Sequence, residues 1–228
     1  MRVLIGCERS GVIRDAFRDR GHDAWSMDLA PAEDGSRYHI QDDLRVTLDH
    51  GWDLMIAHPE CRYLSSSGLH WNTRRPGRVA ETDKAIQFVR ELWSADIPRI
   101  CIENPQGCIN TRIPEMPKPQ YIQPYQFGHD ASKKTGLWLK NLPDLIIDPA
   151  QFVEPRMVCD VCKGVYEYGR AAKLGCPHCG AEPGLAKPRW ANQTNSGQNR
   201  LAPSETRSMD RARTYEGIAA AMAEQWGS

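Results

Sequence analysis

The sequence carries no excess charge of either sign, since its 29 lysines and arginines balance 29 aspartates and glutamates. That speaks against a protein that coats nucleic acid indiscriminately, because such proteins are strongly basic, but it leaves room for a local basic face. Arg74, Arg75 and Arg78 form one basic cluster; Arg200, Arg207, Arg211 and Arg213 form another. No apolar run approaches the roughly 18 residues a membrane span needs, and no secretion signal opens the chain, so a cytoplasmic protein without a membrane partner is expected. Internal repeats and low-complexity tracts are absent, and no feature points to an oligomer, so a monomer is the default expectation. What remains is ordinary globular composition: 228 residues, 40% hydrophobic and 25% charged, enough for one α/β domain plus a small appendage.

The chain opens with a β-rich stretch, Arg2–Ile5, that runs into the turn Gly6-Cys7-Glu8-Arg9-Ser10-Gly11. Ser10 is placed to cap a helix bearing Val12, Ile13, Ala16 and Phe17 at helical spacing, and Gly21 to close it. A second strand, Asp23–Met27, stops at Asp28. Strand, glycine-bearing turn, helix, strand and terminal acid is the order a nucleotide-type ligand site on a doubly wound sheet requires. The turn is not a full G-x-G-x-x-G, and a plain α/β crossover would explain it as well. Further strands are expected around Tyr38–Ile40, ending at Asp42-Asp43, and over Trp52–Ala57, running into His58-Pro59-Glu60-Cys61. Residues 79–94 read as an amphipathic helix packing through Ala85, Phe88, Val89, Leu92 and Trp93. A strand Arg99–Ile102 leads to Glu103-Asn104-Pro105, a long loop fills 106–130, and a strand Thr135–Leu139 follows. A helix from Glu216 ends at Gly227 and packs through Ile218, Ala221, Met222 and Gln225-Trp226.

Five polar positions therefore fall just after successive strands: Gly6–Gly11, Asp28, Asp43, Cys61 and Glu103. Ligands of open α/β sheets bind outside the carboxyl ends of the strands, and five such positions in sequence point to an enzyme. Cys61, flanked by His58 and Arg62, could be a reactive thiolate in an electropositive strand-end loop, although most lone cysteines are buried and structural. Glu103 could simply cap a helix; beside a nucleophile it could donate a proton, with Asn104 holding its geometry. The remaining signal is Cys159-x2-Cys162 with Cys176-x2-Cys179. In a chain without a secretion signal, paired C-x2-C spacing reads as a closed four-thiolate zinc site and not as disulfides. Its loop, with Tyr166, Tyr168, Arg170 and Lys173, either contacts DNA or is held by a stabilising clip. Its flanks, Glu154-Pro155 and Lys187-Pro188-Arg189, look like linker joints.

Taken together these residues resemble the DNA cytosine-C5 methyltransferase family, in its compact phage and prophage branch, over roughly residues 1–140 and 190–228. Leu4 through Gly11 resembles the family's first cofactor motif, with its usual phenylalanine-glycine start replaced. Asp28 sits where the family binds the ribose and Asp43 where it meets the adenine amino group. Pro59-Glu60-Cys61 followed by Ser65 resembles the loop that carries the nucleophile, and Glu103-Asn104-Pro105 its glutamate-asparagine-valine motif. Lys133-Lys134-Thr135 falls near its arginine motif, Arg200 through Glu205 resembles the motif after the recognition region, and the final helix resembles the last motif.

The resemblance implies a Rossmann-like, doubly wound, mostly parallel α/β sheet with a zinc-ribbon insertion. The expected organisation is a catalytic domain over 1–150, the zinc knuckle within the target-recognition region over 151–190, and a segment over 191–228 returning to the catalytic domain. The cofactor would be S-adenosylmethionine, held by Gly6, Cys7, Gly11, Asp28, Asp43 and Pro59; the partner would be DNA, in a bacterial host cell. Cys61 would add to C6 of a flipped-out cytosine while Glu103 supports N3, with Asn104 and Lys133 completing the catalytic set. One departure is chemical: Glu60 replaces a proline, and a carboxylate beside Cys61 is expected to disfavour the thiolate. Two other readings stay open. The chain could modify a free pyrimidine nucleotide by the same cysteine addition, or it could be a degenerate methyltransferase that binds DNA without catalysis.

Overall fold

In the computed structural model, residues 1–169, 174–201 and 213–228 are described. Arg170, Lys173, Arg207 and Arg211, and the Ala202–Glu205 part of the motif after the recognition region, lie outside the described residues. The chain divides into two compact units. One comprises Met1–Ile122, Lys134–Ile146 and Thr214–Ser228; the other comprises Gln123–Lys133 and Ile147–Arg213. The second unit thus contains the whole of 151–190 and extends beyond it on both sides.

The first unit is built on a seven-stranded sheet. Its elements are β1 (Arg2–Gly6), α1 (Val12–Asp19), β2 (Asp23–Asp28), β3 (His39–Gln41), β4 (Leu54–Ala57), α2 (Cys61–Leu64), α3 (Ser66–Leu69), α4 (Arg78–Trp93), β5 (Arg99–Pro105), α5 (Ile109–Arg112), β6 (Gln120–Ile122), β7 (Thr135–Lys140) and the C-terminal α6 (Glu216–Trp226). Strand order is β3-β2-β1-β4-β5-β7-β6. Neighbours from β3 to β5 pair in parallel, while β7 runs antiparallel to both β5 and β6. The expected mixed α/β fold with a mostly parallel sheet is what the chain adopts.

From β1 the order runs outward one way through β2 and the other way through β4 and β5. Right-handed crossovers therefore send α1 and α4 to opposite faces. The side chains follow: Leu4, Met27, Met55, Ile100 and Ile102 share one buried cluster with Ile86, Val89 and Leu92 of α4. Residues of opposite parity, Val3, Ile5, Leu54 and Ile56, are buried too, as are Ile13 and Phe17 of α1 and Ile218, Met222 and Trp226 of α6.

Several local expectations need correcting. The α4 residues fully buried are Thr82, Ile86, Val89 and Leu92, whereas Ala85, Phe88 and Trp93 pack at the margin of the cluster. Apolar spacing located the helix but not which edge of its stripe faces the sheet. The stretch 106–130 is not one loop: it holds α5, β6 and a 3-10 turn at Pro124–Phe127. A three-residue strand has little intrinsic pattern, and β6 exists because β7 offers it an edge. Helix α1 is not capped by Ser10 in the expected way. Gly11 stands at the cap with φ 72, and the orphan N–H groups of Ile13 and Arg14 donate to the carboxylate of Glu8, at 2.8 and 3.3 Å. Gly11 is required there, since a Cβ would fall 2.1 Å from the Arg14 guanidinium.

Arg14 is fully buried, a costly place for a charge unless it is paired. Its guanidinium donates to Ser26 on β2 at 3.0 Å, to Asp15 at 2.8 Å and to Asp34 in the β2–β3 connection. Burial alone would raise the Asp34 pKa, but the Ser36 amide and Arg14 overcome that and hold it below the usual value of 3.8. A lowered carboxyl contributes stability that is complete above its ordinary range and disappears as pH falls through the folded value. Asp34→Asn should therefore cost about 1–2 kcal/mol in chemical denaturation at neutral pH. That is less than for a fully buried partner, because Asp34 is 38% exposed and Asp15 remains. The gap from the parent should narrow below pH ~4; a pH-independent gap would remove Asp34 from this role.

Candidate active site and four-cysteine cluster

The sheet places its chemistry by register. Gly6 of β1 pairs with Ala57 of β4, and Ala57 pairs with Ile102 of β5. The residues just beyond, Cys7-Glu8, His58 and Glu103, consequently lie side by side at the carboxyl ends of three adjacent parallel strands. This is the point where strand order reverses and the loops after β1 and β4 lead to opposite faces, the place where open α/β sheets take their ligands. The His58 N–H donates to the Gly6 carbonyl at 2.9 Å, which continues the β1–β4 ladder one step past its end.

His58 Nδ1 is hydrogen-bonded to Oε2 of Glu103. Both side chains are nearly enclosed, at 12% and 10% exposed. The other ring nitrogen, Nε2, is buried with no hydrogen-bond partner. Glu8 lies close enough on the β1 side to sense the charge of His58, and burial raises the pKa of Glu8 against that charge and against the two α1 amides. Asn104 does not brace Glu103, as the sequence suggested. Consecutive strand residues point to opposite faces, so Asn104 Nδ2 instead donates to the Pro59 carbonyl, at 2.6 Å. That bond ties the loop bearing Cys61 to β5.

Cys61 is exposed and begins α2, a single helical turn. Glu60 precedes it with its carboxylate 58% exposed and 3.7 Å from Arg62, so the acid that departs from the family pattern points outward and has a cationic neighbour. The turn after Cys61 is held from three sides. Cys108 N–H donates to the Leu64 carbonyl at 2.9 Å, and Ser66 N–H to the Gln106 carbonyl at 3.0 Å. Arg78 donates to the Arg62 carbonyl and lies 4.1 Å over the Tyr63 ring. Arg78 is therefore a buried pin and not part of a surface basic cluster; Arg74 and Arg75 remain outside, with Arg75 over Trp71.

On the β1–β2 side the expected cofactor residues gather. Cys7 takes φ 58, and its thiol is pushed up to about 12, by burial first and then by the charges of Asp28 and Asp43. Those two acids and Cys7 therefore share one neighbourhood. Asp28 Oδ1 accepts the Ala30 N–H at 2.9 Å. Asp43 caps the 3-10 turn Leu44–Thr47 and is paired with Arg45 at 3.0 Å. Gly6 permits close packing there, since a Cβ would meet Leu44 at 2.4 Å. Lys133 belongs to the second unit, where its backbone N–H donates to Gln123 Oε1 and its Nζ lies 3.5 Å from the Arg213 carbonyl.

In the second unit, the strands β8 (Arg156–Cys159), β9 (Val165–Glu167) and β10 (Ala186–Arg189) form an antiparallel sheet in the order β10-β8-β9. Cys159, Cys162, Cys176 and Cys179 bring their sulfurs within 4.8 Å of one another, so they could hold a metal ion. The two C-x2-C turns match. Lys163 N–H returns to the Cys159 carbonyl and Gly180 N–H to the Cys176 carbonyl, each at 3.0 Å, and each donor residue has positive φ, 62 and 71. Backbone N–H groups face the sulfurs, Val161 toward Cys159 and Gly164 toward Cys162, both at 3.4 Å. Amides of Cys162 and Val161 pull the Cys159 thiol down to about 7.

In the sequence His58 stands out only as a flank of Cys61, and nothing local marks Glu8 or Gly107. The signal for His58 was present: it stands one residue past a buried strand, as Glu103 does on the neighbouring strand.

No family model matches the sequence, and no curated protein does. Among solved structures, the chain is similar to a DNA modification methyltransferase assigned within an E. coli prophage, at 11% identity and TM-score 0.39, over 61% of this chain and 46% of that one. It is also similar to a methyltransferase of Entamoeba histolytica, at 14% identity and TM-score 0.46, over 68% of this chain and 58% of that one. The alignments thus span about half of each of those proteins.

Gly107 stacks against the turn after Cys61, and a Cβ there would lie 1.9 Å from the Leu64 carbonyl oxygen. Backbone cannot yield as a side chain can, so Gly107→Ala should displace α2. A loss of about 1–3 kcal/mol is expected in thermal or chemical unfolding, with the Cys61 thiol changing its rate of alkylation by a neutral maleimide. Unchanged stability and labelling would contradict this packing.

Proposed function

We propose that the chain is an S-adenosylmethionine-dependent DNA cytosine-C5 methyltransferase in which Cys61 adds to C6 of the target base. The observation that carries this reading is the strand-end register. It brings His58, three residues before the exposed Cys61, against the buried Glu103 on the next strand, while Asn104 ties down the loop that leads to the cysteine. Few reactions need a thiol and a proton-donating carboxyl together. Addition to C6 of a pyrimidine does, because C6 becomes electrophilic only when N3 receives a proton or strong hydrogen bond.

S-adenosylmethionine would supply an electrophilic methyl group. The residues at the β1 and β2 ends fit it in kind. Cys7 through Gly11 present close-packed backbone, and Asp28 has a second oxygen available for ribose hydroxyls. Asp43, already paired with Arg45, would meet the adenine amino group alongside that guanidinium. Cys61 forms and later breaks the bond to C6, Glu103 protonates N3, and Asn104 keeps the loop in place. The outward Glu60, with Arg62 nearby, favours an active enzyme over a degenerate one, since much of its field on Cys61 is screened by water. The place of Lys133 in the catalytic set rests on the resemblance alone.

Zinc is the ion proposed for the four cysteines. A tetrahedron of thiolates at ~2.3 Å has edges near ~3.8 Å, and the Cys159–Cys179 and Cys162–Cys176 sulfur pairs stand at 3.8 and 3.6 Å. A disulfide would need ~2.05 Å. Such a closed site is structural. DNA, the proposed partner, would be met by cations such as Arg156, Arg189 and Arg200. Arg156 and Arg200 converge on the Gln193 carbonyl.

Incubation with labelled S-adenosylmethionine and unmodified duplex DNA, followed by nucleoside mass analysis, should give 5-methyldeoxycytidine. Cys61→Ser should abolish it, by at least ~10³-fold, while cofactor binding persists. With dCMP offered as methyl acceptor in a parallel reaction, label in dCMP and none in DNA would favour the nucleotide reading; DNA binding without transfer would favour the degenerate one.

Metal analysis should find zinc bound by the cysteines, and Cys176→Ser or a strong chelator should remove it and lower the melting temperature. Disulfide-linked cysteines in the native protein would overturn the assignment.

A further inference from the structure

We propose that His58 is a positioning residue acting through Glu103: it holds the carboxyl toward the base and shares with it the single proton that Glu103 lends to N3. The inference rests on the cytosine-C5 reading above.

The geometry is specific. His58 Nδ1 bonds one oxygen of Glu103, Oε2, while the pair is almost fully enclosed. Register makes this contact obligatory, because His58 and Glu103 follow Ala57 and Ile102, which are paired partners. A histidine usually has its tautomer fixed by a bond to its second nitrogen. Here Nε2 reaches no partner among the described residues. The ring's one side-chain hydrogen bond among the described residues is therefore the one from Nδ1 to Glu103. The charged group facing the ring from β1 is Glu8, itself bonded to the α1 amides, with Arg14 behind it; from β5 it is Glu103. A carboxyl alone in this enclosure would have no second base to buffer its proton.

The step balances. Before reaction one mobile proton lies between Oε2 and Nδ1, and the pair carries it as a neutral unit. Cys61 thiolate bonds to C6, the C5–C6 π electrons move into the ring, and N3 takes the proton from Glu103. The pair is left with one negative charge, the charge the thiolate brought. S-adenosylmethionine would supply the methyl group to C5, and a water molecule would take the C5 proton; the C5–H electrons would re-form the C5–C6 double bond and expel the Cys61 thiolate, and N3 would return its proton to Glu103 and His58. No electron is gained or lost overall.

The test is a double-mutant cycle on the full chain, read by single-turnover methyl transfer to duplex DNA. His58→Asn retains an N–H close to the Nδ1 position but cannot exchange a proton. It should keep S-adenosylmethionine and DNA binding within about threefold of the parent and slow transfer at least ~10-fold. In a Glu103→Gln background the same change should cost nothing further. Two results overturn the proposal: His58→Asn transferring at the parent rate, or slowing both backgrounds by the same factor, as a merely structural residue would. If His58→Asn fails to fold by melting and cofactor binding, His58→Gln takes its place and the same non-additivity is required. A parent protein that methylates no cytosine ends both this proposal and the reading beneath it. An active parent with additive His58 effects ends this proposal alone.

Discussion

The pairing of β1 with β4 and of β4 with β5 is the constraint on which everything functional depends. Side-chain direction alternates along a strand, so a slip of one residue between β4 and β5 would turn His58 away from Glu103 and Asn104 away from Pro59. Both contacts are made by residues one or two positions past the last buried pair. The hydrophobic pattern of Leu54–Ala57 against Ile100–Ile102, all fully buried, is therefore what fixes the chemistry. Core packing and site geometry are one specification here, and the polar residues only read it out.

The same region gathers an unusual density of buried ionisable groups. Glu8, His58, Glu103 and Arg14 all sit at or near full burial around the β1–α1 turn and the β4 and β5 ends. Each would be expensive alone, and the structure makes them tolerable by pairing them and by using Glu8, Arg14 and His58 twice. Glu8 caps α1, where the helix dipole favours its charge, and it also faces His58. Arg14 pins α1 to β2 through Ser26 while neutralising Asp15 and Asp34. His58 extends the β1–β4 ladder with its backbone and meets Glu103 with its side chain. Apart from His58 Nε2 and Asn104 Oδ1, which have no hydrogen-bond partner among the described residues, these contacts tie the strand-end site to three neighbouring strands and α1.

How much of this was legible in the sequence follows from what each feature depends on. Strand positions and the acids at their ends were readable, because β-rich runs stopping at Asp28, Asp43 and Glu103 are local patterns. The C-x2-C pairs were readable for the same reason. The cap of α1 was not. Ser10 is the better local candidate, but the helix starts after Gly11, which stands at positive φ with no side chain to meet Arg14, and the Ile13 and Arg14 amides reach Glu8. The buried edge of α4, the inward turn of Arg78 and the existence of β6 likewise depend on what lies opposite them. His58 falls between these cases. Its position after a strand was visible, but its partner stands 45 residues away and only register brings them together.

The departure at Glu60 can be weighed in the same terms. A proline in that place would stiffen the turn before the cysteine through its fixed φ and missing donor. Glu60 supplies neither, yet its φ of −56 is the value a proline would impose, and its carboxylate is directed outward beside Arg62. Stiffness is recovered elsewhere: Asn104 holds the Pro59 carbonyl, Cys108 holds Leu64, and Arg78 holds the Arg62 carbonyl. Residues 59, 62 and 64 are thus each anchored from a different element, which leaves the cysteine between them little freedom of position. The loop's geometry is maintained by three long-range bonds where a proline would supply local chain stiffness, so Glu60 leaves three constraints in the place of one.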